Sequence, residues 1–245
     1  MALKSPLLHC YSTVFEWLKE QLAKMFGCDI KRDRREIIYE LSEFLKLSPG
    51  DVIDLLQKST KLSAEEWREK FKGSAELDFY SYSKYYIFDL CYGNYWSSNT
   101  YLGKALIAKN SFGKILDYGA GVGSQLIMAW NLGFKDLTYY DVNGILFDFA
   151  KFRFKKRGMC VRMISASDVE DRLEESYDTI YCLWVLEHVK DPYIHLKRLN
   201  KHLKNGGRLF LAYRFGKDEY HPMEFDHNLN IDELLKSWGY EKKVS

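Results

Sequence analysis

No Cys-x-x-Cys pair occurs among the five cysteines, which stand at positions 10, 28, 91, 160 and 182. The unpaired spacing, the odd count and the lack of a secretory pattern point away from a disulfide framework and toward a reducing, cytoplasmic setting. No uninterrupted apolar stretch reaches the length of a membrane-spanning helix. Charge of one sign is missing too: 36 Lys and Arg against 34 Asp and Glu leave a net +2. That balance makes no electrostatic case for a nucleic-acid partner. Internal repeats and low-complexity segments are absent. No His, Cys, Asp or Glu constellation has metal-ligand spacing, so no metal is expected. What remains is an ordinary globular chain: 245 residues, 47% hydrophobic, with 18 Tyr and 15 Phe. That length allows one sizeable domain plus an accessory region.

Apolar residues from Leu7 to Phe26 recur at helical spacing and end near Gly27, a suitable C-terminal cap. This amphipathic helix is expected to pack on the domain rather than lie on a membrane, its polar side being mixed rather than basic. A second helix is expected over 33–45. Ser48-Pro49 then reads as a helix start running to about Lys58. Ser63-Ala64-Glu65-Glu66 has the capping-box pattern of another, reaching about Phe71. Residues 1–75 are therefore read as a helical accessory region and 76–110 as an aromatic-rich lid or linker. From there strand and helix patterns alternate over 114–118, 123–132, 137–141, 145–157, 160–165, 178–184, 191–203, 207–213 and 231–238. Such alternation implies an α/β fold with a parallel sheet and helices on both faces.

The densest signal is Ile115-Leu116-Asp117-Tyr118-Gly119-Ala120-Gly121-Val122-Gly123-Ser124. An apolar strand runs into an acid and then glycines at alternate positions. Glycine there permits a sharp turn and close approach of a ligand to main-chain atoms. Asp141 ends the next apolar run, about 20 residues after the glycines, where a carboxylate can accept two ribose hydroxyls. NAD enzymes share that acid, but their loop reads G-x-G-x-x-G, and its third glycine position holds Ser124 here.

The D-x-G-x-G-x-G form resembles the first motif of class I S-adenosylmethionine-dependent methyltransferases. Three later segments agree in order and spacing: Ala166-Ser167-Asp168, Tyr177 to Val189 with its V-L-E-H-V ending, and Asn205-Gly206-Gly207 before a fifth strand. They are similar to the small-molecule methyltransferases of ubiquinone and menaquinone synthesis, over roughly residues 90–245. The resemblance implies a Rossmann-like class I sheet over 111–245, with S-adenosylmethionine (SAM) as cofactor and S-adenosylhomocysteine as product. It also implies cofactor contacts from Asp117, Gly119, Ala120, Gly121, Gly123, Asp141, Val142, Ser167 and Asp168, with Leu183 and Trp184 flanking adenine and sulfonium. By that resemblance Asp117 is expected to help hold the methionine amino group through water, Asp141 the ribose, and Asp168 or nearby Asp171 the adenine, a helix cap being the alternative for either of the last two. The segment before strand one forms a lid in these enzymes, which selects Tyr95 and Trp96. The family's sheet ends in a hairpin of strands six and seven. Strand six fits near Gly239-Tyr240 and strand seven is not found: either the sequence is cut short there, or the sheet edge is shortened or completed by another chain, a route to oligomers.

Methyl transfer to a hydroxyl benefits from a base, and His188, His221 and His227 are the candidates. His9, His195 and His202 read as surface residues, and the Lys151–Arg157 basic run as a solvated helical face. The fourth-strand exit lacks the Asn/Asp-Pro-Pro-Tyr pattern of base and glutamine methylation. The Pro-Cys and paired-glutamate signatures of cytosine-C5 and arginine enzymes are also absent. The expectation is a methyl transfer to an O, N or C atom of a small molecule, with neither nucleic acid nor membrane as partner. A non-catalytic SAM-binding subunit and an NAD-dependent oxidoreductase are the alternatives.

Overall fold

The computed structural model describes residues 21, 24, 25, 28–74, 77–166, 173 and 176–242. The amphipathic stretch 7–26 and the Ser167, Asp168 and Asp171 positions lie outside the described residues, apart from positions 21, 24 and 25.

Five strands form one parallel sheet in the order β3-β2-β1-β4-β5: β1 Ile115–Tyr118, β2 Leu137–Val142, β3 Arg162–Ala166, β4 Tyr177–Leu183 and β5 Leu203–Ala212. The chain starts in the centre, steps outward to β3, returns and steps outward on the other side. The order reverses beside β1, and the crevice at the carboxyl ends of β1 and β4 is where such sheets bind ligands. Alternate residues face opposite layers, the strand period of two. Ile115, Tyr139 and Tyr181 pack with Leu126, Ala150 and Phe154. These belong to α6 Ser124–Asn131 and α7 Ile145–Lys156. Leu116, Tyr118, Tyr140, Ile180 and Cys182 pack with Leu196, Leu199 and Ile231, on α8 Pro192–His202 and α9 Ile231–Ser237.

The N-terminal region supplies α1 Ile30–Leu45, α2 Pro49–Glu66, α3 Asp78–Tyr82, α4 Tyr86–Trp96 and α5 Ser98–Lys109. The two helices expected over 49–58 and 63–71 are one helix ending in a π-turn, Trp67–Phe71. No breaker separates them, and buried Val52, Leu56, Ser59 and Ser63 continue a single inward face. Glu66 is not a capping residue but an anchor. Its carboxylate accepts from Ser83 Oγ at 2.7 Å and from the backbone N–H of Lys84 at 2.9 Å, fixing the α3–α4 turn.

The basic run on α7 is likewise only partly solvated. Arg153 is 1% exposed. It donates to Glu40 at 2.9 Å, to Tyr95 Oη at 2.6 Å, and to the carbonyl of Val122 in the glycine loop. Arg157 and Lys156 pair with Glu36 and Glu43 of α1. The counter-charges lie more than a hundred residues upstream, so α1 turns an expected solvent face into an interface. His195 and His202 are also packed rather than exposed. His202 is buried, and His195 Nδ1 lies 2.7 Å from Tyr118 Oη. The two stand seven residues apart on the inward side of α8.

Beyond β5 no further strand occurs among the described residues. The expected start of strand six instead caps α9: Tyr240 N–H bonds Leu235 O and Gly239 N–H bonds Lys236 O, a Schellman closure with Gly239 at φ 88°. The expected Gly206-Gly207 turn lies inside β5, where Gly206 at φ 76° accompanies a bulge against Tyr177–Thr179. Among the described residues, no helix is long and apolar enough to cross a membrane.

Candidate cofactor and acceptor site

The glycine loop leaves β1 and enters α6 with Gly119, Gly121 and Gly123 all at positive φ, 71°, 52° and 72°. Side chains rarely adopt that region. Space is limiting as well: a Cβ on Gly119 would lie 2.4 Å from Val185 Cγ2, and one on Gly123 2.6 Å from Phe154 Cζ. Asp141, at the end of β2, accepts from the backbone N–H of Gly121 and from Val142 N–H at 2.6 Å. Its carboxylate therefore ties the second strand to the loop and keeps lone pairs for a ligand. Asp141 is half-buried, and the surrounding protein pushes its carboxyl up to about 6.

Asp117 lies deeper, 3% exposed. Its Oδ2 has no hydrogen-bond partner, nor has Oε1 of buried Gln125 on α6. Burial raises the Asp117 carboxyl, while the Lys104 ammonium on α5 opposes that rise and is itself held down by burial. Lys104 Nζ donates to Asn94, and Gln125 Nε2 donates to the Lys104 carbonyl at 3.1 Å. Two orphaned acceptor oxygens and a cation are thus gathered behind the glycine loop.

Across the sheet, the β4 exit forms a second cluster. Trp184 has φ 59° and 49% exposure, with its N–H bonded to Ala212 O at 2.6 Å. A bulky residue in left-handed backbone is a strained position of the kind found at functional sites. The turn Leu186–His188 follows. Glu187 is 2% exposed. Burial pushes its carboxyl up to about 8 against the pull of the backbone N–H groups of Glu187 and Arg214, with Glu224 adding a like charge. Burial also pushes His188 down to about 3, so the ring is neutral at physiological pH. Its Nδ1 lies 2.9 Å from Tyr80 Oη of α3, and Tyr86 of α4 packs edge-on to the ring. Helices α3 and α4 thus roof the carboxyl ends of the sheet. A Cβ on Gly144 would meet the Ser81 carbonyl at 2.4 Å, and one on Gly121 would touch Leu90 at 3.2 Å.

Asp117, Gly119, Gly121, Gly123 and Asp141 come together as one cradle, joined by Ala120 and Val142, while Trp184 and His188 stand at the neighbouring β4 exit. Leu183 ends β4 and packs in the core. The expected lid pair lies elsewhere. Tyr95 is buried with its hydroxyl committed to Arg153. Trp96 stacks on Tyr92, and its carbonyl takes Arg34. The helix carrying them turns that end toward α1, so Leu90, one turn earlier, covers the loop instead. His227 is a strut, its Nε2 bonded to Val189 O at 2.8 Å. His221 sits on the rim, half-exposed between Asp218 and Arg214. Lys104, Gln125, Tyr80, Tyr86 and Glu224 were missed. The aromatic run before strand one pointed to the tyrosines as a group; the others carry no local pattern.

Residues 98–244 match the family model of the methyltransferase domain, and the chain belongs to that family, the class I SAM-dependent methyltransferases. A tRNA U34 carboxymethyltransferase of Campylobacter hominis is 36% identical over 112 residues, 43% of this chain and 38% of that protein. A ubiquinone biosynthesis O-methyltransferase of Pseudomonas savastanoi pv. phaseolicola is 33% identical over 101 residues, 40% of this chain and 43% of that one. The chain spans about four-tenths of the length of these curated relatives. A solved SAM-dependent methyltransferase from Clostridium acetobutylicum has 21% identity, covers 45% of this chain and 46% of its own, and gives a TM-score of 0.38. Family membership goes against the oxidoreductase alternative.

The site fits the family's cofactor. The orphaned oxygens of Asp117 and Gln125 suit an ammonium group, Lys104 suits a carboxylate, and Asp141 suits a ribose.

Proposed function

We propose that this chain transfers the methyl group of SAM to a small-molecule acceptor, at a hydroxyl presented beneath the α3–α4 roof. When bound, SAM supplies a sulfonium methyl that needs no further activation. The protein's part is to align the acceptor, exclude water and receive a proton. The carrying observation is the roofed cluster of Tyr80, Tyr86, Glu187 and His188 beside the cradle. Asp141 takes the ribose hydroxyls, and Asp117 and Gln125 the ammonium. Neutral His188, held by Tyr80, is the group placed to accept a proton from a hydroxyl, while Glu187, its carboxyl pushed up to about 8 by burial, keeps its own proton at neutral pH. The depth of these groups favours a slender acceptor over a folded macromolecule.

A nucleic-acid acceptor is a second reading, favoured by the 36% identical relative named for tRNA. The test is calorimetric titration with SAM, S-adenosylhomocysteine and NADH, followed by transfer of labelled methyl to a metabolite extract and to total RNA. Saturable SAM binding with label in small molecules supports the proposal. Label in RNA moves it to the second reading. Binding without transfer to either marks a non-catalytic SAM-binding subunit, and no binding of either sulfur ligand by folded protein overturns it.

A further inference from the structure

Glu187, His188 and Glu224 bring two carboxylate oxygens and a ring nitrogen within 4.8 Å of one another. They come from the β4 exit and from the loop after β5. The two loops are joined where Phe225 N–H donates to Glu187 O at 2.7 Å. Both glutamates are buried, 2% and 5% exposed. Arg214 neutralises them only in part. Its Nη2 is 2.8 Å from Asp218 and only 3.4 Å from Glu224. Glu187 Oε2 has no partner at all. A buried carboxylate oxygen with nothing to accept from carries its full desolvation penalty. Two carboxylates side by side add repulsion, and His188 is already oriented by Tyr80. Ligands held by second groups in this way are characteristic of metal sites.

We propose that Glu187, His188 and Glu224 bind one divalent cation of the Mn²⁺ class, on the acceptor side of the cofactor cradle. Two carboxylates and an imidazole suit Mn²⁺, which accepts both donor types. Three protein ligands leave half of an octahedral sphere for water and for acceptor oxygens. The acceptor class that fits is a molecule with two adjacent oxygens, such as a vicinal diol or a hydroxy-carbonyl compound. Bound there, its hydroxyl is held at the site and gives up its proton to water more readily. The acceptor role rests on the methyltransferase reading; the cation site does not.

The test is the electron paramagnetic resonance signal of free Mn²⁺, from MnCl₂ titrated with the full chain without cofactor, with calorimetry of ZnCl₂ and MgCl₂ beside it. One Mn²⁺ per chain is expected, weakened at least tenfold in Glu224→Gln and retained in Asp218→Asn. Because Glu187→Gln reaches the core, circular dichroism and SAM binding check that Glu224→Gln is folded, and His188→Ala repeats the test from the other loop. No Mn²⁺ or Zn²⁺ binding at millimolar concentration overturns the proposal, leaving the glutamates to share a proton. Binding unchanged in both Glu224→Gln and His188→Ala overturns it as well. Mn²⁺ binding without SAM binding leaves the cation site standing and removes the methyltransferase reading; the reverse result does the opposite.

Discussion

The two ends of the crevice are built differently. At β1 and β2 the cradle is mostly backbone: glycines at positive φ, exposed N–H groups, and one carboxylate holding the loop to its neighbouring strand. At β4 and β5 the cluster is entirely side chains, from α3 and α4, the Leu186–His188 turn and the loop after β5. A backbone site needs particular residue types at short, fixed spacing and leaves a written pattern. A side-chain site assembled from three distant segments leaves at most fragments, here the V-L-E-H-V segment. The glycine-loop end is therefore written in one short stretch of sequence, while at the other end only the Glu187-His188 pair was legible and its partners Tyr80, Tyr86 and Glu224 join it on folding.

The contrast is broken most severely at the brace behind the glycine loop. Arg153→Met removes the buried donor to Glu40, Tyr95 and the glycine-loop carbonyl. Loss of a buried ion-pair partner costs about 3 kcal/mol, read as a lower urea midpoint. A near-neutral result would mean that Arg157 alone satisfies Glu40 and that the accessory helices are not coupled to the loop.

Asp141→Asn sharpens it next. Charge-assisted hydrogen bonds contribute roughly 1.5–3 kcal/mol, so SAM affinity should fall about 10- to 100-fold by calorimetry. The pH dependence has opposite signs for binding and folding. The ionised carboxylate binds the ribose, so affinity falls as pH drops through about 6. The folded pKa is raised, so this group's contribution to stability is fully present below the unfolded value and is lost as pH rises through about 6. The stability of Asp141→Asn relative to the native chain should therefore rise with pH between roughly 4 and 6. A difference that is flat across this range would place the carboxyl in water.

Gly119→Ala tests whether space or conformation limits the loop. Left-handed backbone costs a side chain roughly 1–2 kcal/mol, and the new methyl meets Val185. Val185→Ala should restore part of the lost SAM affinity; no restoration assigns the whole effect to φ. The smallest change is expected from His227→Gln. Losing the bond to Val189 costs about 1 kcal/mol, with SAM affinity unchanged. A large loss of affinity would make His227 more than a strut.

The sequence by itself determined the alternation of β1 to β5 with α6 to α9, most boundaries within two residues, and the cradle from Asp117 to Asp141. These follow from local rules: strand periodicity, apolar faces, and glycine where the chain must turn. It misplaced what depends on partners. Arg153 and His202 looked like surface residues because their burial comes from α1 and the sheet. Ser63-Ala64-Glu65-Glu66 looked like a helix start because nothing local says that its serine faces a core. Tyr95 and Trp96 looked like a lid because the aromatic run does not reveal which turn of α4 meets Gly121. Only the tertiary structure set Tyr80 against His188, Glu224 against Glu187, and Lys104 against Asp117. Those pairs join residues from 13 to 108 positions apart, and burial, which fixes the charge each group carries, is a property of the packed chain and not of any stretch of it.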